Sequence, residues 1–116
     1  MGTYAAHPEP NGSLGEFWYW TAGMNGLLER NRWYCVEQYI KLNTPTAKDG
    51  ILRVWIDGRL AFEKTDLRVR DIPSLKVEYV WMNVYHGGRT PAPHDMHLFI
   101  DNVVIARRYV GPTVNP

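Results

Sequence analysis

The chain has 116 residues, 45% of them hydrophobic, with 13 Lys and Arg against 12 Asp and Glu and a formal net charge of +1. That length holds one domain at most, and the interspersed, nearly balanced charge argues against a nucleic-acid partner. A single cysteine, Cys35, excludes an internal disulfide and a cysteine-based zinc site, and no run reaches membrane-spanning length, so no membrane partner is expected.

Residues 1–14 form a polar arm with two prolines, irregular or serving as an edge segment. The arm lacks a basic segment followed by an apolar one, so no signal peptide is expected in this chain, and the compartment stays open. Residues 15–116 read as one β-domain. Glu16–Thr21 (E-F-W-Y-W-T) is dense in aromatics and reads as a first strand. Gly23–Asn31 reads as a loop. Trp33–Leu42 and Ile51–Ile56 are the next two strands, flanking a turn rich in Asn, Thr, Pro, Asp and Gly. Asp57-Gly58 is a strong hairpin signal, and Leu60–Lys64 follows it as a fourth strand.

Asp66–Pro73 is a connection with extended character. Leu75–His86 reads as a long strand and Gly87–Pro93 as a loop. His97–Ile100 and Asn102–Tyr109 read as a last hairpin around Asp101-Asn102, stopped by Val110-Gly111-Pro112. No internal repeat and no convincing amphipathic helix interrupts this series. Short, regularly spaced strands with turn signals between them predict an all-β, antiparallel sandwich of about six to eight strands.

Alternation sorts the strand faces. Val36, Ile40 and Leu42 oppose Glu37, Tyr39 and Lys41, with Gln38 breaking the apolar side. Leu52, Val54 and Ile56 oppose Arg53 and Trp55. Val80, Met82 and Val84 oppose Tyr79, Trp81, Asn83 and Tyr85, and Leu98 and Ile100 oppose His97 and Phe99. Each strand thus has an aliphatic side suited to a core and a side that mixes aromatics with charges and amides. If the strands are neighbours, Glu37, Tyr39, Lys41, Arg53, Trp55, Trp81, Asn83 and Tyr85 share one face, which sheet twist could curve into a groove.

Sugars are bound by stacking on Trp or Tyr while amides and charges reach hydroxyls and carboxylates. Tyr39, Trp55, Trp81 and Tyr85 supply rings, and Lys41 and Arg53 supply cations for an acidic sugar. Two other readings stand beside this one: a solvated face whose long side chains cover each other, and a face packed against another subunit.

The segments W-Y-C-V-E-Q-Y-I-K-L-N-T-P, D-G-I-L-R-V-W-I-D-G, D-L-R-V-R, V-W-M-N-V-Y-H-G-G and F-I-D-N-V-V-I-A-R-R-Y-V-G-P occur in this order. Over about residues 15–112 the chain resembles the C-terminal half of the polysaccharide lyase family 14 domain, found in alginate lyases. The resemblance implies a concanavalin A-like jelly roll, here truncated, and a family whose members are often secreted. It also implies β-elimination on a uronate polymer, with Tyr85 in the segment that carries the family's catalytic tyrosines, Lys41 at a basic position on the groove face, and Arg53 and Asn83 neutralising the sugar carboxylate. Those tyrosines come in pairs two residues apart, whereas Asn83 and Gly87 stand on either side of Tyr85 here. Binding of an acidic oligo- or polysaccharide is therefore the first functional expectation, with Glu37, Tyr39, Trp55, Trp81 and His97 as ligand contacts. Lyase activity is the second, and a structural or interaction role for the aromatic face is the third. A half jelly roll leaves an aliphatic face without its usual cover; either the few strands close into a smaller sandwich or a second chain covers it, and a homo-oligomer, a two-fold dimer, is expected.

No cofactor is expected. His94 and His97 would point to opposite faces of an extended segment and have no evident third ligand, so no transition-metal site is assigned. Calcium near Asp49, Asp57 or Asp101 is the one alternative, set against the ordinary use of Asp in turns.

Overall fold

The structure, a computed structural model, describes residues 1–7, 15–21 and 28–112. Most of the arm beyond residue 7 and the first part of the Gly23–Asn31 loop lie outside the described residues. Five strands are present: β1 (Gly2–Ala5), β2 (Glu16–Tyr19), β3 (Val36–Lys41), β4 (Gly50–Ile56) and β5 (Arg59–Leu67). All pair antiparallel, β1 with β2 in one sheet and β3-β4-β5 in the other. The arm thus supplies an edge strand, and the fourth expected strand runs on to Leu67.

The β4–β5 hairpin forms where Asp57-Gly58 predicts it. Both turn residues have positive φ, 49° and 77°, as a type I′ turn requires, and its twist matches that of the flanking strands. The Asp57 carboxylate accepts hydrogen bonds from the Arg32 guanidinium at 2.8 Å and the Cys35 N–H at 2.9 Å. The β3–β4 connection is longer and is organised on Asn43, which is buried beneath it. Thr44 donates its N–H and its hydroxyl to the two oxygens of Asp49, both at 2.6 Å.

The two sheets of this body pack through the aromatic run at β2. Trp18 lies against Leu52 and Leu67, and Trp20 lies against Val54, Ile56 and Ala61. Phe62 touches both clusters, and its ring stacks on Trp18 with centroids 5.9 Å apart. The Trp20 indole N–H is satisfied by Thr3 Oγ1 at 3.0 Å, the partner a buried Trp requires. The aliphatic side of β4 is core, as alternation predicts, and Val54 has no solvent exposure. The chain is an all-β, antiparallel sandwich.

β3 departs from the expectation. Val36, Gln38 and Ile40 sit opposite Ile56, Val54 and Leu52 on the core face of the sheet, yet Val36 and Ile40 are 44% and 48% exposed. The two-stranded sheet packs over β4 and β5, and β3, the outermost strand, lies beyond that cover.

The chain divides into two compact bodies, residues 1–76 with 108–116, and residues 77–107. The five strands all belong to the first. The strands expected at Leu75–His86, His97–Ile100 and Asn102–Tyr109 are not formed: the described residues from 68 to 112 contain none. The expected turns are nonetheless marked. Gly88 has φ 92° and Asn102 φ 52°, and the Asn102 N–H donates to its neighbour Asp101 Oδ1 at 2.7 Å. Alternation identifies a segment that can be a strand, but a strand exists only when its N–H and C=O groups find a ladder partner, and among the described residues none is present for 77–107.

Candidate carbohydrate-binding face

The outer face of β3-β4-β5 carries the polar and aromatic residues of the first body. Register sets Glu37 opposite Trp55, Tyr39 opposite Arg53, and Lys41 opposite Ile51. The alternation that buries Leu52, Val54 and Ile56 turns Ile51, Arg53 and Trp55 outward. Five of the nine site residues read from the sequence therefore stand together: Glu37, Tyr39, Lys41, Arg53 and Trp55. Lys41 is exposed and the other four are half-buried. Trp81, Asn83, Tyr85 and His97 belong to the body of residues 77–107, where all four are exposed.

Two of the five already have protein partners. The Arg53 guanidinium donates through Nε to the Glu63 carboxylate on β5. Both side chains are more than a third exposed, so the pair contributes well under about 1 kcal/mol and can exchange partners with an incoming anion. Glu37 accepts the N–H of Val110 through one oxygen at 2.8 Å and that of Gly111 through the other at 2.9 Å. The strap that carries these amides also sets the Tyr109 ring against Trp55, with centroids 4.9 Å apart and planes tilted by 51°.

Glu63 and the strap are the functional neighbours that sequence reasoning missed. An uninterrupted ladder from a two-residue turn would put Phe62 opposite Arg53. A register shift between Val54 and Trp55 puts Glu63 there instead, and the residue pattern carries no signal for that bulge. The approach of Glu37 to Val110 spans 73 residues of chain, and no local motif encodes it.

Cys35 beside this face is half-buried, with a free thiol. Burial, with the nearby Glu37 and Asp57 carboxylates, pushes its thiol above the ordinary range, which works against nucleophilic use. The three carboxylates considered for calcium all serve turns: Asp49 binds Thr44, Asp57 binds Arg32 and Cys35, and Asp101 binds Asn102. Among the described residues, no three His, Cys, Asp or Glu side chains converge on a point that would hold a metal ion.

The described residues thus build an antiparallel β-sandwich with aromatic and charged side chains on one outer sheet face. Residues 25–103 match the family described as Polysaccharide lyase 14; the chain belongs to that family. No curated protein and no solved structure matches it.

Proposed function

We propose that this chain binds an acidic polysaccharide on the outer face of β3-β4-β5. The observation that carries the reading is the row formed by Tyr39, Lys41, Arg53 and Trp55 on adjacent strands. Two rings offer apolar stacking surface, Lys41 offers an exposed cation, and Arg53 offers a planar fork for a carboxylate in place of Glu63. Membership of a polysaccharide lyase family supports a polyanionic glycan as the ligand. Trp81, Asn83, Tyr85 and His97 are proposed as further contacts in the concanavalin A-like jelly roll implied by the family resemblance. The test is calorimetric titration with uronate oligosaccharides and with neutral ones of equal length. Tighter binding of the uronates, weakened by Lys41→Ala and by added salt, is expected. Equal or absent binding of the two classes overturns the reading.

A second reading, favoured by the family match, is β-elimination with Tyr85 exchanging the proton and Lys41, Arg53 and Asn83 stabilising the enolate-like charge. It stands second because the family resemblance implies a second tyrosine two residues from Tyr85, and Asn83 and Gly87 hold those positions. Incubation with alginate and other uronate polymers decides it: a rise in ultraviolet absorbance from the unsaturated product supports turnover, and a flat trace removes it for those substrates. The third reading, an aromatic face that serves as a subunit contact, goes with the oligomer proposed for this chain, a two-fold dimer.

A further inference from the structure

We propose that Tyr109 is an additional sugar-stacking residue of this face and that Glu37 is its positioning residue. The proposal rests on the carbohydrate reading of the outer face and changes the role of Glu37 within it. A carboxylate free to meet a uronate would repel it. The Glu37 carboxylate is instead engaged on both oxygens by the successive N–H groups of Val110 and Gly111, at 2.8 and 2.9 Å. Such charge-assisted bonds to backbone amides are strong and directional.

Two consecutive amides can turn toward one anion where the backbone takes a left-handed step, and Gly111 has φ 79°. These two residues directly follow Tyr109, so the carboxylate fixes the backbone from which that ring projects. On the far side of Gly111 the strap is held again, with Pro112 close against the hairpin turn: a methyl group added at Gly58 would come within 3.2 Å of its Cδ.

Held this way, the Tyr109 ring meets Trp55 at 4.9 Å and 51°. Tilted rings form a corner rather than a closed stack, and Tyr109 remains 47% exposed. A pyranose ring seated there would lay its apolar face on one aromatic and its edge against the other. The strap extends the sugar-binding surface beyond the residues that β3 and β4 supply.

The full-length chain, labelled with 15N, is titrated with uronate oligosaccharides by calorimetry, with amide and indole resonances followed by NMR. Tyr109→Ala is expected to weaken binding roughly tenfold, and Tyr109→Phe to retain it. Glu37→Gln keeps the side chain's size but only one acceptor oxygen. It is expected to weaken binding roughly threefold, speed exchange of the Val110 and Gly111 amides, and shift the Trp55 indole toward its position in Tyr109→Ala. The indoles of Trp18 and Trp20, in the core, should stay in place.

Wild-type binding with undiminished affinity in Tyr109→Ala overturns the assignment while the carbohydrate reading survives. An unchanged Trp55 indole in Glu37→Gln, or equal shifts of all three indoles, overturns the positioning role. A wild-type chain that binds no uronate removes the carbohydrate reading, and this assignment with it.

Discussion

Asn43 is fully buried, and its side-chain amide bonds only to backbone. Nδ2 donates to the carbonyls of Thr44, Ala47 and Arg70 at 2.7, 2.9 and 2.9 Å, and Oδ1 accepts the N–H groups of Val69 and Arg70 at 2.9 and 3.1 Å. Arg70 returns the contact by donating Nε to the Asn43 carbonyl at 2.7 Å. One amide thereby ties the β3–β4 turn to the segment after β5. Asn43→Ala would leave several buried backbone groups without partners, and a loss of about 3 kcal/mol in urea-unfolding stability is expected. A loss under about 1 kcal/mol would mean that water replaces the amide. The K-L-N-T-P segment stands out in the sequence as a family feature, but its physical purpose is not legible there, because three of the five side-chain bonds involve residues 26 and 27 positions further on. In the same turn, the hydrogen bonds from the Thr44 hydroxyl and N–H hold the Asp49 carboxyl below its usual range. A carboxylate lowered on folding stabilises fully above its unfolded pKa and loses that contribution as pH falls through the lower folded value. The urea midpoint should therefore decline in acid more steeply for wild type than for Asp49→Asn; parallel curves would show that the turn does not depend on the charge.

At the scale of elements, β4 and β5 were legible and β3 was only half so. Alternation identified Leu52, Val54 and Ile56 as core, and Asp57-Gly58 located the hairpin, because both signals are local. How far a second sheet reaches across the first is not a local property. Val36 and Ile40 have the same pattern as their β4 partners yet remain exposed, since among the described residues the buried clusters under β1 and β2 draw on β4 and β5. Apparent strand quality and energetic weight therefore separate. Leu67→Ala, in the cluster with Trp18 and Leu52, should cost about 3 kcal/mol by transfer and cavity terms together. Ile40→Ala, on the uncovered strand, should cost under about 1 kcal/mol in dilute solution. Chemical unfolding of the two variants side by side checks the contrast, and similar losses would mean that β3 is covered. The outer face follows the same logic. Its five grouped residues were legible from period two, whereas Glu63 and Tyr109 were not, one hidden by a bulge and the other by a long-range return of the chain.

For the whole molecule, the largest departure from the sequence expectation is the body of residues 77–107. Its residues alternate as strands do and its turns fall at Gly88 and Asn102, yet its rings stand in solvent, Trp81 at 80% exposure. Tyr79, Tyr85, Phe99 and Ile105 are likewise exposed. Apolar area left in water forgoes about 25 cal/mol per Å2, and this many large exposed apolar side chains in one short segment call for cover. Alternation written into a segment with no ladder partner in its own body, together with the uncovered side of β3, supports the proposed dimer: a second copy would supply cover that neither body supplies for itself. The mass of one chain is 13.4 kDa, so multi-angle light scattering should report about twice that value at micromolar concentration. Dilution should shift the population toward the single-chain mass, and Trp81→Ser should move that midpoint to higher concentration by roughly tenfold if the indole is buried at the contact. The same dilution series should lower the urea midpoint, because association stabilises only the folded chain. A single-chain mass at every concentration, with an unfolding midpoint independent of dilution, would refute the dimer and leave the exposed rings of residues 77–107 to a partner of another kind.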